Sequence, residues 1–159
     1  MLENCRNAKE RWGGVSDLID RWLKERQELL VHYCDVSDTA RISAPSALRG
    51  ALEHLCEVLV DYVSAGHFEV YEQLIQEARE FDDGGAELAE KIYPKITETT
   101  GVVLDFNERL DGGPETRSQE ELMAELSRLG ESLETRFELE DFLIEHLHNV
   151  HGGRVMSSA

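Results

Sequence analysis

At 159 residues the chain is most simply one domain, long enough to bury a sizeable hydrophobic core. Its net charge is -17, and all of it lies past residue 50: residues 1–50 hold 8 acidic and 8 basic side chains, 51–100 hold 12 against 3, and 101–159 hold 13 against 5. Such a surface argues against nucleic acid and anionic membrane and for a basic partner whose hold weakens as salt rises.

Helical periodicity dominates. After a charged lead-in ended by Gly13-Gly14, apolar residues at three- and four-residue steps (Leu18, Ile19, Trp22, Leu23, Leu29, Leu30, Tyr33) predict a first helix from Val15. The composition of Asp35 to Ser46 predicts a loop, with Pro45 near the start of a second helix carrying Leu48, Leu52, Leu55, Leu59 and Val63. Gly66 is expected as the left-handed residue past its end. A short third helix from about His67 places Phe68, Tyr71, Leu74, Ile75 and Ala78 on one side. "FDDGG" (Phe81 to Gly85) is the next break, and a fourth helix runs from about Ala86 to Leu110 with a kink expected at Pro94. "DGGPETRS" (Asp111 to Ser118) reads as a turn, and Ser118 with Glu121 as the capping box of a last helix reaching about Val150. The fold class expected is all-α, an antiparallel up-down helix bundle with additional short helices, one domain over 1–151 and a flexible tail over 152–159.

Function has to come from polar residues on apolar stripes. Arg26 continues the first helix's face, and Arg136 and Glu140 fall on the margin of the last helix's face, defined by Leu126, Leu129, Leu133, Phe137, Ile144 and Leu147. A buried charge costs several kcal/mol unless paired, so these need partners, with Asp61, His67, Glu72 and Asp141 as candidates. One reading is a polar network that fixes how the helices align. The other is a patch that a partner or ligand uses.

Catalysis and metal find little support. Glu145 and His148 have the Glu-x-x-His spacing of di-iron bundles, but the second such pair is missing. His146, His148 and His151 instead suit a helix C-terminus. Cys5, Cys34 and Cys56 form no CxxC pair, which points to reduced thiols in packing roles. No nucleophile setting, phosphate loop or zinc spacing occurs, so neither an enzyme nor a cofactor is expected. With no membrane-length apolar run and no signal-peptide core, a cytoplasmic protein is expected.

Three segments, "LIDRWLKERQELL" (Leu18 to Leu30), "LVDYVSAGHFEVYEQL" (Leu59 to Leu74) and "RFELEDFLI" (Arg136 to Ile144), resemble the signatures of the Rsd/AlgQ family of bacterial anti-sigma factors. "ENCRNAKERWGGV" (Glu3 to Val15) is closer to the AlgQ branch, which regulates alginate and siderophore production. The resemblance implies a helical bundle that binds region 4 of the housekeeping sigma subunit of RNA polymerase and limits its recognition of the -35 promoter element. It implies partner contacts at Asp61, Ser64, His67, Phe68 and Glu72, with Asp61 pairing an arginine of the partner or bracing His67. It implies a supporting network of Arg21, Trp22, Arg26, Arg136, Phe137 and Glu140. The alternatives are a metal- or ligand-binding bundle acting as a sensor, and an acidic scaffold without a dedicated site.

Overall fold

The computed structural model describes residues 8–42, 45–110 and 118–152. Helices α1 (Ala8–Ile42), α2 (Pro45–Ala65), α3 (Tyr71–Phe81), α4 (Gly85–Arg109) and α5 (Gln119–Ile144) make up the bundle. A π-helical turn over Gly66–Val70 joins α2 directly to α3, and a second over Glu145–Asn149 prolongs α5. The described residues contain no strand, so the all-α expectation stands. α1 packs along α2, α4 along α5, and the short α3 is held between α4 and the second π-turn.

Each long helix buries a stripe whose steps alternate between four and three residues, the spacing that keeps one face toward the core. On α5 that stripe is Leu122, Leu126, Leu129, Leu133, Arg136, Glu140, Leu143 and Leu147, every member buried. On α4 it is Ala89, Ile92, Ile96, Thr99, Val103 and Phe106. Arg136 and Glu140 thus occupy the centre of the apolar face, not its margin.

Three boundaries differ from the sequence expectation. Gly13-Gly14 does not end a lead-in, because α1 passes through both. Trp12 stacks on His148 and Val15 is fully buried, and these anchors outweigh the ~1 kcal/mol that each glycine costs a helix. The segment from Asp35 is not a loop either, and α1 continues to Ile42. Val36 and Ala40 extend its buried stripe, and Gln119 Nε2 donates to the Ala40 carbonyl at 2.9 Å. Burial therefore overrides the loop-like composition. Gly66 is helical and not left-handed: among the described residues only Asp82 (φ 48°) and Gly84 (φ 93°) have positive φ. Its glycine serves close approach instead, since an added Cβ would lie 3.0 Å from Tyr71 Oη and 3.1 Å from Trp22.

The other breaks follow the sequence. Asp82 and Gly84 make the left-handed turn at "FDDGG", where Asp82 N–H donates to the Ala78 carbonyl at 3.0 Å. Ser118 caps α5, its hydroxyl accepting the Glu121 N–H at 3.1 Å. Residues 111–117 of the expected turn and 153–159 of the expected tail lie outside the described residues, while Gly152 is helical and buried.

Candidate functional site

Where α1, α2, α3, α4 and α5 meet, the apolar stripes give way to a closed polar network. Glu140 is its centre. Oε1 accepts from the Tyr62 hydroxyl at 2.5 Å and from Arg26 Nη2 at 3.3 Å. Oε2 accepts from the Tyr71 hydroxyl and from Arg136 Nε at 3.2 Å. The two arginines then bind the backs of the tyrosines: Arg26 Nε donates to Tyr62 Oη and Arg136 Nη2 to Tyr71 Oη, both at 3.0 Å. Arg136 Nη1 is satisfied by Thr99 Oγ1 at 3.1 Å and Thr100 Oγ1 at 2.8 Å. Arg26 Nη1 reaches Asp141 at 2.6 Å.

Burial pushes the Glu140 carboxyl up from its usual range, and Arg136, the two hydroxyls and Arg26 pull it back. The bonding decides its state. Each tyrosine oxygen already accepts an arginine N–H, so its own proton is committed to Glu140, which is held as a carboxylate by four donors. Burial and the neighbouring carboxylate push both tyrosines up, so they stay protonated. Aromatic rings seal the network: Trp22 stacks on Tyr62 at 4.8 Å and donates Nε1–H to the Tyr62 carbonyl at 3.1 Å, and the Arg26 guanidinium lies 4.6 Å from the centre of Phe137.

The π-turn carries this network to the surface. It adds one residue to the α2–α3 path, so that Tyr71, Leu74 and Ala78 face the core together with Leu59 and Tyr62. His67 is half-buried on this turn. Its Nε2 pairs with Thr100 Oγ1 at 2.8 Å and its Nδ1 with Tyr93 Oη at 3.1 Å. Burial and Arg136 hold its pKa below the ordinary value. With both nitrogens engaged, His67 is not braced by Asp61, as one sequence reading had it.

Outward from His67 lie the other expected contact residues. Asp61, Phe68 and Glu72 are exposed, Phe68 by 75%, and Ser64 is half-buried. Glu25 of α1 sits in the same field: burial, then Asp61, Glu28 and Glu69, push its carboxyl up. Beside this rim a groove of about 400 Å³ opens between α3 and α4, lined in part by His67, Tyr71, Glu72, Ile75 and Tyr93.

Of the supporting residues named from sequence, Trp22, Arg26, Arg136, Phe137 and Glu140 meet in the network. Arg21 does not join them and lies exposed beside Glu25. Asp141 is a partner as expected, whereas Asp61 and Glu72 remain on the outer surface. The sequence reading missed Tyr62, Tyr71, Thr99 and Thr100, because a tyrosine or threonine on an apolar stripe gives no sign that its hydroxyl is bonded.

It also missed a second cluster at the far end of α5. Buried His148 pairs through Nδ1 with buried Glu77 at 2.8 Å and stacks on Trp12 at 4.5 Å, and Trp12 Nε1 donates to the His148 carbonyl. His151 stacks on Phe81 at 3.8 Å and pairs with Asp83 at 2.7 Å. These histidines are tertiary links, not merely counter-charges for a helix end. Among the described residues no group of three or more His, Cys, Asp and Glu could hold a metal ion. Nor, among them, is any helix long and apolar enough to cross a membrane.

A family model described as "Regulator of RNA polymerase sigma(70) subunit, Rsd/AlgQ" matches residues 1–148. The chain belongs to the Rsd/AlgQ family. The "Regulator of sigma D" of Yersinia enterocolitica is 36% identical over 148 residues, covering 91% of this chain and 89% of that protein. That of Yersinia pseudotuberculosis is 36% identical over 148 residues, covering 91% and 88%. That of Enterobacter sp. (strain 638) is 37% identical over 147 residues, with the same coverage. The matched residues take in α1 to α5 as described above.

Proposed function

We propose that this chain is a cytoplasmic anti-sigma factor that binds region 4 of the primary sigma subunit and lowers its availability for the -35 promoter element. The observation that carries this reading is the exposed junction itself: Phe68, 75% exposed, stands on a π-turn between exposed Asp61 and Glu72. An aromatic anchor flanked by carboxylates suits a basic helix-turn-helix module, offering negative charge where that module meets phosphates. The rigid network behind it holds the π-turn in one geometry, which lowers the ordering cost of docking. His67 supports this surface from within, and Ser64 completes its edge. The groove between α3 and α4 gives a partner side chain room beside Glu72. No contact with DNA is part of this mechanism; the regulator acts by occupying the sigma module.

Titration calorimetry against isolated region 4, at low and high salt, tests the proposal. Wild-type protein should bind, and more weakly at high salt. Asp61→Ala should lose at least tenfold in affinity with an unchanged helical circular dichroism spectrum. Absence of binding by the wild type overturns the anti-sigma reading; undiminished binding by the variant removes Asp61 from the interface. The same groove would serve a ligand-binding sensor, and a wild type that does not bind region 4 makes that the reading to pursue.

A further inference from the structure

A second groove, of about 270 Å³, runs between α1 and α5. Leu30, Leu133 and Phe137 give it an apolar floor and wall. Its ends are fixed by two contacts. At one, Tyr33 presses on Gly130 and donates its hydroxyl to the Leu126 carbonyl at 2.7 Å. A Cβ at residue 130 would collide with that hydroxyl, so a side chain there would displace the Tyr33 ring from its place against α5. At the other, Arg26 of α1 reaches across to Asp141 of α5. Between them Leu30 is left 43% exposed, a large apolar residue opening onto the groove.

The rim is acidic. Glu131, Glu134, Glu138 and Asp141 are all exposed and follow one another on α5 at steps of three, four and three, which puts them along one edge of the helix. None of the described residues lining the groove is basic, and Arg26 at its end is already paired with Asp141, which leaves the three glutamates for a partner. The volume is below the roughly 300 Å³ where small-molecule pockets begin. A narrow apolar trough beside a row of carboxylates is the complement of an amphipathic helix with a cationic edge.

We propose that the α1–α5 groove is a docking site for a basic amphipathic helix of a partner protein. Two or three apolar side chains at i, i+3/i+4 and i+7 would enter over Leu30, Leu133 and Phe137, while lysines or arginines along one margin meet Glu131, Glu134 and Glu138. The acidic row spans about 15 Å along α5, so a partner helix of about three turns covers it. This surface is separate in its residues from the Asp61–Phe68–Glu72 junction, and the proposal does not rest on region 4 binding.

The probe is a fluorescently labelled 15-residue leucine–lysine peptide with an amphipathic helical face, titrated by anisotropy into the whole chain. A peptide of equal composition with the face scrambled is the control for bulk charge attraction. The amphipathic peptide should bind at least tenfold tighter than the scrambled one. Leu30→Asp, which changes an exposed position, should weaken it about tenfold, and Glu134→Lys with Glu138→Lys should weaken it further and flatten its salt dependence. Asp61→Ala should leave it unchanged. Equal binding of the two peptides, no effect of Leu30→Asp, or loss with Asp61→Ala overturns the proposal.

Discussion

Beside each of the two π-turns a buried glutamate pairs with a nitrogen-bearing side chain, Glu140 with arginines and Glu77 with His148, and the clusters are finished differently. Beside the first turn, Glu140, Arg136, Arg26, Tyr62 and Tyr71 exchange hydrogen bonds until the carboxylate has four donors. At the second, His148 is as buried as Glu140, yet only its Nδ1 is bonded and its Nε2 has no partner among the described residues. A guanidinium taken out of water needs a complete set of partners, because each missing bond leaves charge exposed to a low dielectric. An imidazole stacked on an indole can leave one nitrogen idle at the cost of a single bond.

Substitutions in each cluster measure that contrast. Glu140→Ala leaves Arg136 buried without its charge partner and two hydroxyls without acceptors. It should cost ~3–5 kcal/mol, read as a lowered denaturant midpoint. Glu77→Ala removes a partner of His148 from the second cluster. The expected loss is ~1–3 kcal/mol by the same measurement. Equal losses would show that burial alone, and not the number of charges matched, sets the cost.

The smallest effect should come from His67, at the surface end of the first cluster. Its folded pKa lies below its ordinary value of ~6.5 through burial and Arg136. The unfolded chain therefore takes up a proton first as pH falls. Stability from this group is fully present above about pH 6.5 and is lost as pH drops through the depressed folded value. Wild type should lose midpoint between pH 7.5 and 5 more steeply than His67→Gln; parallel slopes would assign the acid sensitivity elsewhere.

Much of this arrangement can be read from sequence, and what cannot has identifiable causes. Arg26, Arg136 and Glu140 stand out because a charge at a step of an apolar stripe demands a partner. Tyr62 and Tyr71 do not, since a ring in the core looks the same whether or not its hydroxyl is bonded. The π-turn is hidden for a related reason: Gly66 satisfies a helix-ending signal equally well, and only the approach of Trp22 and Tyr71 shows why glycine is there. Asp35, Ser37, Asp38 and Thr39 look like a loop, while Val36 and Ala40 continue the stripe through them. Glu77 and Asp83 pair with histidines about 70 residues away in sequence, beyond the reach of any local pattern.

Helix α1, with its 35 residues, is a rod roughly 50 Å long. Trp12 on it grips the second cluster, Trp22 and Arg26 the first, and Tyr33 closes the α1–α5 groove. The same unbroken helix thus carries all three holds. One helix thereby touches both clusters and the α1–α5 groove, so amide exchange along its length reports on all three.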